Sequence, residues 1–225
     1  MSAHRHILNF HGLGDPPSHI APDERSYWIG AAFFTDIVSM VLDEFEPGRV
    51  GFTFDDGNRS DHDIAAPVLT GHGLAGTFFV LAGRLGHPGY LGRDDLVALR
   101  RSGMTIGLHG RNHVDWRRLD DAALSDETDA ARVELEDASG APVDHAGIPF
   151  GAYDARVMRW LCTRSFATIQ TSDGGPARAG ARILPRTSVR QDMDMAAVRQ
   201  ILSGREGAVR RVRRTVSMVL RRHVI

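Results

Sequence analysis

Hydrophobic and polar positions follow two alternating rhythms along this chain. Short apolar runs of strand type fall at residues 5–10, 49–54, 75–81, 104–108, 146–150, 166–171 and 183–189. Between them lie longer stretches suited to helices: TDIVSMVLDEF (35–45), IAAPVLTGHG (64–73), RDDLVALRRSG (93–103), LSDETDAARVELEDASG (124–140) and DARVMRWLCTRS (154–165). Several end near a Gly, the residue that best accepts a helix C-terminus. Strands alternating with helices predict an α/β fold with mostly parallel strands. In such folds reactive groups gather at the carboxyl ends of the strands, and HGLG, DDGNRS, HGRNH, PFGAYD and PRTSVR each follow or end an apolar run.

A single domain over residues 1–203 is expected, since the chain shows no internal repeat, low-complexity tract or linker before residue 204. From 204 to 225 Val209, Val212, Val216, Met218, Val219 and Leu220 interleave with seven Arg residues. This tail predicts a basic amphipathic helix, either packed on the domain or resting on anionic lipid.

Composition narrows the classes. The 225 residues carry a formal charge of -1, which argues against a dedicated nucleic-acid binder, and all 27 basic residues are Arg, a bias that reads as a GC-rich genome rather than as function. Cys162 is the sole cysteine, so neither an intramolecular disulfide nor a Cys-based zinc site is expected, and it reads as a small core residue. No apolar run reaches signal or membrane-spanning length, so the expected location is cytoplasmic, with membrane association through the basic tail as an option.

The chemistry concentrates in VGFTFDDGNRS (50–60). Side chains alternate along a strand, so Phe52 and Phe54 share one face while Gly51, Thr53 and Asp55 share the other. If the phenylalanines pack outward against helices, Asp55 points inward, and Gly57 permits a turn that brings Asp56 to the same mouth. Two adjacent carboxylates there call for a cation. LHGRNH supplies partners, because His109 and His113 follow the run at 104–108. Two imidazoles and one carboxylate form an open ligand set for zinc, which assigns Asp56, His109 and His113 as ligands and leaves Asp55 as a general base. Alone, an Asp-Asp-Gly turn reads as a loop and an H-x-x-x-H as a surface pair; together at successive strand ends they point to a site.

TFDDG, then H-x-x-x-H, then P-F-G resembles the polysaccharide deacetylase family, the NodB-like carbohydrate esterases, over about residues 6–190. That resemblance implies a distorted (β/α)7-type barrel and metal-dependent removal of N- or O-acetyl groups from sugars. For this chain it implies Asp55 as catalytic base and Asp56, His109 and His113 on zinc, with Co2+, Ni2+ or Mn2+ as alternatives. IPFGAYD (148–154) resembles the motif in which Pro149 and an aromatic residue shape the groove and the Phe150 amide helps hold the oxyanion.

The chain departs from the pattern twice. Gly147 stands where the family commonly has the Arg that pairs with the base, and Leu184-Pro185-Arg186 stands where it often has L-x-H with a general-acid His. Arg186 is the candidate replacement partner for Asp55. His11 is the first candidate for substrate contact or proton transfer. Asp115 and Trp116 are candidate pocket walls, and Trp116 is suited to stacking on a sugar, although a packed core Trp is the favoured reading. His62, His72, His87 and His145 read as surface or structural.

The expected function is deacetylation of an acetylated amino sugar in a saccharide or glycan precursor, in bacterial cell-envelope or exopolysaccharide metabolism. Hydrolysis of another C-N bond, in a cyclic amide or ureide, uses the same parts. A saccharide-binding pseudoenzyme fits the missing Arg and His, and an iron oxygenase fits the ligand types.

Overall fold

The structure, a computed structural model, describes residues 4–18, 20–204, 216, 218, 219 and 221. Its strands are β1 (His4–Phe10), β2 (Gly12–Leu13), β3 (Trp28–Ile29), β4 (Val50–Phe54), β5 (Gly76–Val80), β6 (Thr105–Leu108), β7 (His145–Gly147), β8 (Thr168–Thr171), β9 (Ala177–Arg178), β10 (Ile183–Pro185) and β11 (Thr187–Ser188). The α-helices are α1 (Ala31–Glu44), α2 (Ala66–Gly71), α3 (Arg93–Arg101), α4 (Asp121–Ser125), α5 (Ala131–Ser139), α6 (Ala155–Cys162) and α7 (Met195–Leu202). Two π-helical turns, Asp61–Ala65 and Asp126–Ala130, lead into α2 and α5.

The main sheet runs β10-β8-β7-β6-β5-β4-β1-β11 with every neighbour parallel, and β9 adds antiparallel to β1. One residue, Arg186, separates the two ends of that order. The segment 183–188 pairs first with β8, where Ile183 faces Ile169, and then with β1, where Leu8 faces Thr187. A single extended segment thus closes the sheet into a nearly complete barrel of the (β/α)7 type.

All seven expected apolar runs enter this sheet. The run at 146–150 ends early, because Pro149, Phe150 and Gly151 form one 3-10 turn at the barrel mouth. Sequence periodicity did not reveal α7, which Asp194 caps by accepting from the Ala197 amide at 2.8 Å, nor the two-residue strands β2, β3 and β9. Most of the tail expected from 204 to 225 lies outside the described residues. Of its described members Val216 and Val219 are exposed, while Arg221 lies 3.2 Å from Asp173 and over the Tyr153 ring. No helix among the described residues is long and apolar enough to cross a membrane.

The outer layer is aromatic. Phe10, Phe52, Phe54 and Phe78 point away from the barrel axis and, with Phe34 of α1, build a stack of rings 4.5–6.4 Å apart. Burying each such ring contributes roughly 1.5–3 kcal/mol. This packing directs Thr53 and Asp55 inward. Cys162 corrects the expectation of a core residue: Val157, Met158 and Leu161 carry the buried stripe of α6, and Cys162 falls one position past it on the exposed side.

Candidate active site

The site assembles where β1, β4, β6, β7 and the closing segment release their chains. The Asp55 amide still bonds the Phe10 carbonyl at 2.8 Å, holding the residue in register. Asp56 and Gly57 then take left-handed conformations with φ of 77° and 68°, turning the chain back over the mouth. Among the described residues three non-glycine positions have positive φ, and all lie here: Asp56, His113 (53°) and Phe150 (57°). Such backbone costs on the order of 1–3 kcal/mol each and persists only where its surroundings over-determine it.

Those surroundings are identifiable. Glu127, buried at the start of α5's π turn, accepts from the Arg111 amide at 2.9 Å, the Asn112 amide at 3.0 Å and the Asn112 side chain at 2.8 Å. It therefore clamps the loop between the two histidines. His113 stacks on the ring of Phe150 with centroids 4.2 Å apart.

His109 Nδ1 lies 2.9 Å from the Gly147 carbonyl, which can only accept, so Nδ1 carries the proton and Nε2 offers a lone pair. Nε2 of His109 is 3.6 Å from Asp56 Oδ1, and Nε2 of His113 is 3.4 Å from the same oxygen. Burial pushes the His109 pKa down despite the adjacent carboxylates, keeping the ring neutral. His113 is pushed down by burial but more strongly up by Glu24 and Asp56. Asp56 Oδ1 is buried and has no hydrogen-bond partner. One ligand atom from each of the three residues lies within 4.8 Å of the others. Two imidazole nitrogens converging on an orphaned buried carboxylate oxygen fit a divalent cation of the zinc type.

Asp55 sits beside that cluster, 2% exposed. Arg186 grips it with Nη1 at 2.6 Å from Oδ1 and Nη2 at 3.0 Å from Oδ2. Asn9 donates to Oδ2 at 2.8 Å while its own oxygen accepts from Arg186 and from Thr53, each at 2.8 Å. Burial alone would raise the Asp55 pKa; the Arg186 charge, followed by His109 and His11, overrides it and holds the carboxyl well below the usual range. Phe79 supports the guanidinium from below at 4.9 Å. The same ring explains Gly147, because a Cβ there would approach it to 2.9 Å. The cation for Asp55 therefore comes from the closing segment.

His11 Nε2 is 3.9 Å from Asp55 Oδ2, and its ring packs on Tyr27 with centroids 4.7 Å apart. Phe150 is 61% exposed at the mouth, and Pro149 is buried beneath it. The Phe150 amide lies within the first turn of a 3-10 element, where a helix supplies no internal partner. Trp116 corrects the expectation of a sugar platform: its ring is wholly buried beside Gly110, so neither face can meet a saccharide. Asp115 caps the turn that holds it by accepting from the Arg117 amide.

Sequence reasoning missed four participants. Asn9 and Glu127 orient Asp55 and the histidine loop, and Glu24 lies 3.4 Å from His113 Nδ1. Asp61 is fully buried with neither carboxyl oxygen hydrogen-bonded. Burial, then the Asp56 and Asp55 charges, raise its pKa well above the ordinary value. Asn9 sits inward-facing near the end of β1, and that placement was the available signal, whereas Asp61 opens the π-helical turn six residues past Asp55.

Comparison with known proteins agrees with this geometry. The chain aligns with YxkH of Bacillus subtilis (strain 168), itself named as a polysaccharide deacetylase, at 22% identity over 140 residues, 61% of this chain and 50% of that protein. The chain thus spans about half the length of this curated relative. Among solved structures, the Streptococcus pyogenes deacetylase PplD in complex with acetate superposes with a TM-score of 0.76 at 18% identity, covering 90% of this chain and 99% of that one. BC0361, a polysaccharide deacetylase from Bacillus cereus, gives 0.77 at 16% identity over 89% and 69% of the two chains. IcaB from Ammonifex degensii gives 0.72 at 20% identity over 91% and 98%. At these identities the likeness shows a shared fold. The family model described as polysaccharide deacetylase matches residues 43–163, more than half of the chain and the stretch that holds Asp55, Asp56, His109, His113 and Phe150, so this chain belongs to the polysaccharide deacetylase family.

Proposed function

We propose that the chain is a divalent-metal-dependent hydrolase that removes an acetyl group from an acetylated amino sugar within a saccharide or glycan precursor, in bacterial cell-envelope or exopolysaccharide metabolism. The observation that carries this reading is the convergence of Asp56, His109 and His113 on one point beside a carboxylate held ionised by Arg186. The deacetylase names of its structural relatives support it.

Asp56, His109 and His113 would hold the ion, zinc being the first choice and Co2+, Ni2+ or Mn2+ the alternatives. A divalent cation there supplies Lewis acidity, which makes water easier to deprotonate and an acyl carbonyl easier to attack. Asp55 takes the proton of the attacking water, and Arg186 with Asn9 fixes the direction in which its oxygens face. The Phe150 amide is the donor for the negative charge that develops on the acyl oxygen. The proton then passes to the leaving nitrogen from Asp55 or from His11, giving acetate and the free amine. The exposed Phe150 ring offers the saccharide an apolar face.

The test is acetate release by metal-replete protein from a panel of acetylated sugars and oligosaccharides. Ammonia or ring-opened product from cyclic amides or ureides, with no acetate, would favour hydrolysis of another C-N bond. Saccharide binding without turnover would mark a binding protein.

A further inference from the structure

The two histidines of the cluster are held differently. His109 Nδ1 meets a neutral backbone carbonyl, whereas His113 Nδ1 faces the Glu24 carboxylate at 3.4 Å. Resting on the reading of Asp56, His109 and His113 as ligands, we propose that Glu24 is a positioning residue that sets the affinity of this site for its cation. A carboxylate only accepts, so it selects the tautomer of His113 with the proton on Nδ1. That leaves the Nε2 lone pair directed at Asp56 Oδ1, the centre of the cluster.

Glu24 reaches this position on a segment that is built to be rigid. Arg25 ties the segment to itself by donating to the carbonyls of Ile20 and Pro17, each at 3.1 Å, and of Ser18 at 3.4 Å. The Glu24 amide bonds the Ala21 carbonyl at 3.0 Å, and the Ser26 carbonyl accepts from Gln191 at 2.9 Å, fastening the segment to the chain that follows the closing segment. Buried Ile20 and Trp28 anchor its two ends. Arg84 and His11 also face Glu24, yet its contact within 4 Å is with His113. With Phe150 against one face and Glu24 at one edge, the imidazole is constrained in both tilt and rotation. A carboxylate in this position also strengthens the opposite nitrogen as a donor to metal. Glu24 lies outside the part of the chain that matches the family model.

The test measures Zn2+ and Co2+ dissociation constants by competition with a chromophoric chelator, with no saccharide present. Glu24→Gln, close in shape but uncharged, should weaken binding by about 10- to 100-fold. Glu24→Asp, which keeps the charge on a shorter arm, should recover part of that. The Co2+ visible absorption should change in Glu24→Gln, while thermal unfolding of the metal-free variant stays near wild type. Wild-type affinity in Glu24→Gln, with binding lost in His113→Ala, overturns the role of Glu24. Wild-type affinity in both variants overturns the ligand assignment itself.

Discussion

Arg186 meets Asp55 edge to edge across 131 residues of chain, both Nη atoms engaged with both carboxylate oxygens and neither residue more than 2% exposed. Two parallel charge-assisted hydrogen bonds of this kind fix the plane of the acid as well as its charge. Because the folded-state pKa of Asp55 is depressed, the pair contributes stability that is present above the unfolded carboxylate pKa and is lost as pH falls through the folded value. Arg186→Met leaves the buried carboxylate without its partner. It should destabilise the metal-free protein by about 3–5 kcal/mol at neutral pH. The acidic limb of kcat/KM should also move to higher pH. Arg186→Lys should restore only part, since an ammonium cannot reproduce the fork. Unchanged pH profiles in Arg186→Met would make the arginine a bystander to the base.

The ligands and the base should separate in metal analysis. Asp56→Ala, His109→Ala and His113→Ala each remove one of three converging donors and should copurify with little metal. Asp55→Asn should retain metal yet lose roughly 10²-fold or more in turnover, because an amide cannot take the water's proton. Full occupancy in two of the ligand variants would refute the assignment.

Gly147 should resist substitution for a steric reason. Gly147→Ala drives a methyl to 2.9 Å from the Phe79 ring and should cost about 1–3 kcal/mol, read as a lowered denaturation midpoint. Combining it with Phe79→Leu should cost less than the two changes summed. Strict additivity would show that the ring is not the obstacle.

Asp61 predicts a pH dependence of the opposite sign to Asp55. Its folded pKa is raised, so the folded state holds a proton that the unfolded chain releases, and stability falls as pH climbs from the unfolded value toward the folded one. With a chelator present, Asp61→Asn should match wild type near pH 4 and exceed it in denaturation midpoint at pH 7. Parallel curves for the two proteins would count against a protonated Asp61.

The barrel strands were legible because each is a short apolar run, five of them followed or ended by a polar cluster, and the convergence of Asp56, His109 and His113 because these residues follow two of those runs. Arg186 could be placed opposite Asp55 for the same reason, as an arginine at a strand end with a known vacancy at Gly147. Glu24 left no such trace, since the segment that carries it has neither helical nor strand periodicity and is organised by Arg25 binding backbone carbonyls. Trp116 misled because proximity to His113 in sequence says nothing about depth. The turn at Asp115 sends the indole inward beneath Gly110, where it is wholly buried.

The segment 183–188 carries a temporal meaning as well as a spatial one. Synthesis delivers β1, Asp55 and both histidines well before residue 186, and the pairing of Leu8 with Thr187 has among the longest sequence separations in the sheet. Contacts so remote in sequence are entropically the slowest to form. Until they do, Asp55 lacks the guanidinium that orients it, so under the proposed mechanism a partly folded chain would be a poor hydrolase. Closing the barrel and pairing Arg186 with Asp55 are one event, and the appearance of the proposed activity during refolding should lag the recovery of helical signal.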